Sequence, residues 1–193
     1  RELAPNMAER EDNLFKLASK SLYGDKVHYA LELIQNAEDA GASTIVFIFD
    51  KERLAVVNDG DVFQPTDVDA ICSVKPGRKK NKIGFFGIGF KSVFNITNTP
   101  QLISSNFNFK IENFIYPQTM AMLPEDLTSY YNKDKGAIFI FPQSEGLPNI
   151  PELIENFKEI DEKILLFLNK LKILQFIDKV NGEEWCIEKF ATE

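Results

Sequence analysis

The chain has 193 residues, 44% of them hydrophobic, with 22 Lys and Arg against 29 Asp and Glu for a net charge of −7. That length fits one domain, or one with a small appendage, and the apolar fraction is ample for a core. No run approaches the roughly 18 apolar residues a membrane-spanning helix needs. No secretory signal is visible, and one His with two distant cysteines, Cys72 and Cys186, makes neither a zinc ligand set nor a disulfide framework. An intracellular, reducing location is the expectation.

Residues 13–22 read as a short helix. A second helix is predicted over 25–40, where Val27, Ala30, Leu31, Ile34 and Ala37 recur at steps of three and four. Asp25 serves as its N-cap and Gly41 as its stop. Glu32 and Asn36 fall one turn apart on one face of it, with Asp39 and Ala40 close to the same stripe. Strands are predicted at 44–49 and 54–58, joined as a hairpin through 50–53, the second ending in Asn58-Asp59-Gly60. That tripeptide is common turn chemistry, and equally a strand end that can read a base. A short helix at 68–73 leads into a stretch ending at Lys82, in which Lys75, Arg78, Lys79, Lys80 and Lys82 are cationic. Next comes Ile83-Gly84-Phe85-Phe86-Gly87-Ile88-Gly89-Phe90-Lys91-Ser92, with a helix predicted over 88–95. Strands are expected at 101–105, 107–112 and 136–141. Phe47, Phe49, Phe107, Phe109, Phe139 and Phe141 alternate along these strands, which favours core packing for many of the 17 phenylalanines. A long amphipathic helix is predicted at 150–169, with Leu153, Phe157, Ile160, Ile164 and Phe167 on one stripe. A closing hairpin of 172–178 and 184–190 turns at Asn181-Gly182. This order predicts an α/β (α+β) two-layer sandwich, a mixed, mostly antiparallel sheet with helices on one face.

Two segments carry chemistry. Glycines in a G-x-x-G-x-G spacing let the backbone approach an anion closely, and a helix starting there aims free N–H groups at it. A Rossmann site would need a strand directly before the glycines and an acid about 20 residues on, and the sequence has neither. On the 25–40 helix, an amide oxygen beside a carboxylate suits a magnesium–triphosphate: Mg²⁺ takes one or two protein oxygens and fills its sphere with water and phosphate. Asn36 supplies a neutral oxygen, and Glu32 can orient or deprotonate an attacking water. A solvated helix face is the ordinary fate of such residues. The lone His28, one turn before Glu32, reads first as a surface or packed residue.

Taken in order, Glu32-x-x-x-Asn36-x-x-Asp39-Ala40, Asn58-Asp59-Gly60 and Gly84-x-x-Gly87-x-Gly89-Phe90 resemble the motifs of the GHKL superfamily, which includes the gyrase B subunit and the ninety-kilodalton heat-shock chaperone. The match covers roughly residues 14–141 and is most similar to sacsin-type ATPase regions. The resemblance implies a Bergerat fold and one ATP-binding domain over 1–193, with a C-terminal helix and hairpin at 150–190, excised from a longer protein since the first residue is Arg1. It implies ATP or ADP with Mg²⁺ held by Asn36, Glu32 as the catalytic base, and nucleotide contacts from Asp39, Ala40, Asn58, Asp59, Gly60, Phe63, Lys79, Gly84, Gly87, Ile88, Gly89, Phe90 and Lys91. Asn58 stands where the family has the adenine-reading aspartate, so either Asn58 or Asp59 reads the base. Gly136-Ala137 stands where a Gly-Thr is usual, without the hydroxyl. The basic stretch takes the place of a lid that folds over the triphosphate. The implied activity is slow ATP hydrolysis, with lid closure coupled to dimerisation or to downstream domains of the parent chain; the alternative is a nucleotide switch that does not hydrolyse. No membrane or nucleic-acid partner is predicted. A histidine-kinase catalytic domain ranks well behind, because the single His lies inside the first motif.

Overall fold

The computed structural model describes residues 26–73, 89–120 and 122–189. Predictions for 13–22, the Asp25 cap, most of the basic stretch with Lys79, and Gly84, Gly87 and Ile88 lie outside them. The α-helices are α1 (His28–Asp39), α2 (Pro65–Cys72) and α3 (Ile150–Lys158), and 3₁₀ helices run over Phe90–Asn95, Glu125–Tyr130 and Glu162–Phe167. The strands are β1 (Thr44–Phe49), β2 (Arg53–Asn58), β3 (Gln101–Ser104), β4 (Phe107–Glu112), β5 (Tyr116–Thr119), β6 (Ala137–Pro142), β7 (Ile173–Asp178) and β8 (Glu183–Glu188). They form one eight-stranded sheet in the order β5-β4-β3-β6-β2-β1-β7-β8. Every neighbouring pair is antiparallel except β1 with β7, which run parallel with Thr44 opposite Ile173. The α+β sandwich expected from the sequence is therefore present. No helix among the described residues is long and apolar enough to cross a membrane.

Strand residues alternate between two faces, and the two cores follow that alternation. Ile45, Phe47, Phe49, Leu54, Val56, Phe139, Phe141, Leu174 and Phe176 share one core with the buried residues of α1 and α3. All six alternating phenylalanines lie on this face. Phe47 stacks on Phe176 with centroids 5.2 Å apart and meets Phe157 of α3 at 4.8 Å. Trp185 of β8 stacks on Phe176 at 4.9 Å, which extends the aromatic layer to the sheet edge. The opposite face carries Ile48, Ala55, Val57, Ile103, Ile138, Ile140 and Ile177, covered by Leu127 of the Glu125–Tyr130 turn. That turn is pinned by charge: Asp126 accepts from Arg53 Nη2 at 2.6 Å and pairs with Lys179 at 3.4 Å. All three α-helices pack on the first face, and this one 3₁₀ turn covers the second.

Several elements differ from expectation, among them an unpredicted 3₁₀ helix over Glu125–Tyr130 and a short helix that starts at Pro65 instead of 68. The predicted 150–169 helix is α3 followed by a separate 3₁₀ helix. Asp161 is extended and accepts a hydrogen bond from Lys163 N, so it caps a new turn instead of continuing the old one. Its apolar stripe still faces the core through Leu153, Phe157, Ile160 and Ile164. The element after the glycines is a six-residue 3₁₀ helix, its first turn closed by Ser92 N to Gly89 O at 3.0 Å. Strand β5 carries no apolar alternation and contains Pro117, a residue that fits an edge strand, where its missing N–H faces outward.

Two features fix α1 to the sheet. Glu38 is buried, and its carboxylate accepts from the backbone N–H groups of Asn169, Lys170 and Leu171 at 2.8–3.1 Å. Gly41 ends the helix at φ +77°, a left-handed conformation glycine adopts without cost. Elsewhere, Gly136 at φ +79° lies so close to the Asn58 carbonyl that a β-carbon would overlap it. Glu38→Ala should lower unfolding free energy by about 3 kcal/mol, because three backbone donors lose a charged acceptor in a buried setting; urea denaturation measures it. Gly136→Ala should destabilise by at least about 2 kcal/mol, since backbone strain adds to the clash, and a thermal melt within 1 °C of the parent would contradict this geometry.

Candidate functional site

The site is built on α1. Its periodic apolar residues turn Ala30, Leu31, Ile34 and Ala37 into the core, which leaves Glu32 and Asn36 one turn apart on a flank. The Glu32 side chain is 15% exposed and Asn36 is 6% exposed. The Phe90–Asn95 3₁₀ helix packs against α1. Gly89, at its start, touches Glu32 so closely that a β-carbon there would overlap the carboxylate. The acid–amide face of α1 and the end of the glycine segment therefore meet directly. His28 Nε2 lies 3.7 Å from Glu32 Oε1, on a side chain that is 53% exposed. Asn36 Nδ2 is buried and has no hydrogen-bond partner among the described residues. Gln35 Nε2 donates to Asp39 Oδ1 at 3.1 Å.

The end of β2 joins the same neighbourhood. A β-carbon on Gly60 would fall 2.7 Å from the Ala40 carbonyl oxygen, so only glycine lets this turn lie against the end of α1. Asp61 N donates to the same oxygen at 2.7 Å. Asn58 shares its sheet face with Leu54 and Val56 and is 8% exposed. Its Oδ1 accepts from Gly60 N at 3.1 Å in an Asx turn. Asp59 turns the other way. Its Oδ1 accepts from Ser43 N at 2.7 Å and Thr44 N at 2.9 Å, while its Oδ2 accepts from Ser43 Oγ and lies 3.3 Å from Lys135 Nζ. Burial pushes the Asp59 carboxyl up, and these hydrogen bonds outweigh it, holding the group below its ordinary range.

Phe63 N donates to Ser104 Oγ at 3.0 Å, and Ser104 Oγ donates to the Gly136 carbonyl at 2.6 Å. The buried Ser104 hydroxyl thus ties the segment after β2 to the start of β6, where Ala137 pairs with Asn58. Ser104 was legible only as the end of a strand, and nothing local in the sequence marks its hydroxyl as a bridge. Phe90 is buried with its ring 5.6 Å from Phe139, and Phe63 meets Phe139 edge-on at 5.9 Å. The Lys91 ammonium donates to the carbonyls of Ile71 and Phe114 and lies 5.7 Å from the Phe94 ring centroid. Burial lowers its proton affinity. The structure thus brings Glu32, Asn36, Ala40, Asn58, Gly60 and Gly89 to one flank, and commits the side chains of Asp59 and Lys91 elsewhere. Among the described residues, no group of three or more His, Cys, Asp or Glu could hold a metal ion.

The Sacsin domain matches residues 52–134. Protein NO VEIN of Arabidopsis thaliana is 37% identical over 187 residues, covering 82% of this chain and 7% of that protein. Sacsin of Homo sapiens is 37% identical over 95 residues, covering 39% of this chain and 2% of its own length. The chain therefore spans a small fraction of either relative. Among solved structures, the N-terminal domain of a DNA repair protein superposes with a TM-score of 0.53 at 17% identity, covering 92% of this chain and 56% of that one. At that identity the likeness concerns the fold alone. The sequence matches give a firmer statement: this chain is a homologue of Sacsin and of Protein NO VEIN, with its Sacsin domain match over residues 52–134.

Proposed function

We propose that this chain is a GHKL, Bergerat-fold ATP-binding domain that hydrolyses ATP slowly with Mg²⁺. The observation that carries the reading is the direct contact of Glu32 with Gly89, which puts a largely buried carboxylate at the end of the glycine segment. Asn36 supports it: its Nδ2 is a buried donor without a partner among the described residues, a place that a phosphate or water oxygen would complete, and its amide oxygen is the atom whose chemistry suits Mg²⁺.

In this reading Asn36 would hold Mg²⁺, which when bound would neutralise charge on the triphosphate. Glu32 orients a water toward the γ-phosphate and takes its proton. Backbone N–H groups from Gly84, Gly87, Ile88, Gly89 and Phe90 cradle the phosphates, and Lys79 lies in the basic stretch that would close over them. Asp39, Ala40, Gly60 and Phe63 shape the floor beneath the base. Asn58 becomes the base reader, because Asp59 is engaged with Ser43, Thr44 and Lys135. Lys91 serves by fixing the 3₁₀ helix to Ile71 and Phe114. Closure would be coupled to dimerisation or to further domains of a longer protein. A nucleotide switch without hydrolysis is the second reading, favoured if calorimetry shows Mg·ATP binding while phosphate release stays at background.

Glu32→Ala should lower phosphate release at least about 100-fold with nucleotide binding retained, the usual loss on removing a general base; equal turnover would remove Glu32 from that role. Gly89→Ala should leave stability within about 1 kcal/mol, because the Glu32 side chain can swing aside. It should also lower turnover about tenfold or more, since a displaced base no longer addresses the water. A Gly89→Ala protein with full turnover would show that the contact does not set the position of the base.

A further inference from the structure

We infer that the free edge of β8 is a docking site for an extended basic segment of a partner protein, which joins the sheet as a further strand. The inference does not rest on the nucleotide reading.

The sheet ends in β5 on one side and in β8 on the other. The outward backbone groups of an end strand decide whether it can accept another strand. In an antiparallel ladder alternate residues aim both N–H and C=O at the neighbour, and those between aim them outward. On β5, Met120 N donates to Asn108 O and Gln118 lies opposite Lys110, so Pro117 is an outward residue. The free edge of β5 therefore lacks an N–H where a new strand would need it. On β8, Lys189 N donates to Lys172 O at 2.8 Å and Glu188 lies opposite Ile173. The same alternation turns the backbones of Glu184, Cys186 and Glu188 outward. β8 contains no proline. The N–H and C=O of these residues line an edge that pairs with no strand among the described residues.

The side chains select the occupant. Trp185 and Ile187 lie on the helix-bearing face, packed against its core, with Trp185 stacked on Phe176. Glu184, Cys186 and Glu188 alternate with them and lie exposed on the other face. Neither Glu184 nor Glu188 pairs with a Lys or Arg among the described residues, and the nearby Lys158 is taken by Glu155 and Glu183. A strand added here meets two carboxylates on one face and an indole with an isoleucine on the other. Opposite charges and matched apolar groups stabilise cross-strand pairs. The matching segment therefore carries Lys or Arg at places opposite Glu184 and Glu188, and apolar residues opposite Trp185 and Ile187. A second copy of this chain does not match, because β8 aligned on itself at Cys186 sets Glu184 against Glu188 at both ends. A cleft of about 430 Å³, lined by Lys158, Ile160, Glu183, Glu184 and Trp185, leaves room beside Glu184 for a long basic side chain.

Hydrogen exchange and peptide titration test this. In the free protein the amides of Glu184, Cys186 and Glu188 should exchange fast, and those of Trp185 and Ile187, bonded to β7, more slowly. Slow exchange at all of them would show a covered edge and overturn the inference. The protein is then titrated at low salt with a fluorescent peptide, Ser-Lys-Val-Thr-Val-Lys-Ser. Binding should protect the outward amides of β8. It should weaken about tenfold or more when Glu replaces both lysines of the peptide, and by a similar factor in the double variant Glu184→Lys, Glu188→Lys. Cys186→Pro removes an outward N–H from an exposed edge residue and should abolish the protection. No binding at about 1 mM peptide, binding that leaves the outward amides unprotected, or equal binding of the acidic peptide would each overturn the inference. The exposed glutamate substitutions keep the test decisive even if Cys186→Pro folds poorly.

Discussion

One buried carboxylate governs how the site is presented. An α-helix turns by about 100° per residue, so fixing one side chain fixes the azimuth of all the others. Glu38 is held by three successive backbone N–H groups ahead of β7. Asn36 then lies about 200° away around the helix, and Glu32 within about 40° of Asn36. Gly60 sets the axial position by admitting the end of β2 against the Ala40 carbonyl. Rotation and translation of α1 are both determined, and Glu32 arrives at Gly89 as their result.

The sheet beneath has an asymmetric division of labour. Its aromatic face supports the helices, and Phe139 touches both Phe63 and Phe90, linking the segment after β2 with the segment after the glycines. Its aliphatic face is closed by a short turn held by Asp126 between Arg53 and Lys179. Aromatic bulk on one side and β-branched side chains on the other follow from the two-residue period of the strands.

Features set by local periodicity were legible in the chain. β1 runs over Thr44–Phe49 as predicted because Phe47 and Phe49 alternate with residues of the other face. Gly41 marks the helix stop through a conformation that few other residues adopt, and Glu32 with Asn36 need only helical spacing to share a flank. Features set by contacts distant in sequence were not legible. Asp59 is claimed by Ser43, sixteen residues earlier, and Lys91 by carbonyls 20 and 23 residues away. The break between α3 and the following 3₁₀ helix depends on Asp161 preferring to cap, a choice its apolar neighbours conceal. β5 lacks an apolar signal because it lies exposed at the sheet edge. The resemblance singled out Asn58 and Asp59 together, and only their hydrogen bonds separate them.

The strand order has a consequence for what counts as a unit here. The stretch shared with the Sacsin domain, residues 52–134, holds β2 through β5. In space β2 and β3 are not neighbours, because β6 lies between them, and β2's other partner is β1. A polypeptide cut to the boundaries of recognisable descent would consist of two disconnected pieces of sheet, with the flanking strands that hold them together left behind. The heritable signature is narrower than the cooperative body that carries it, and α1 reaches Gly89 only within that larger body.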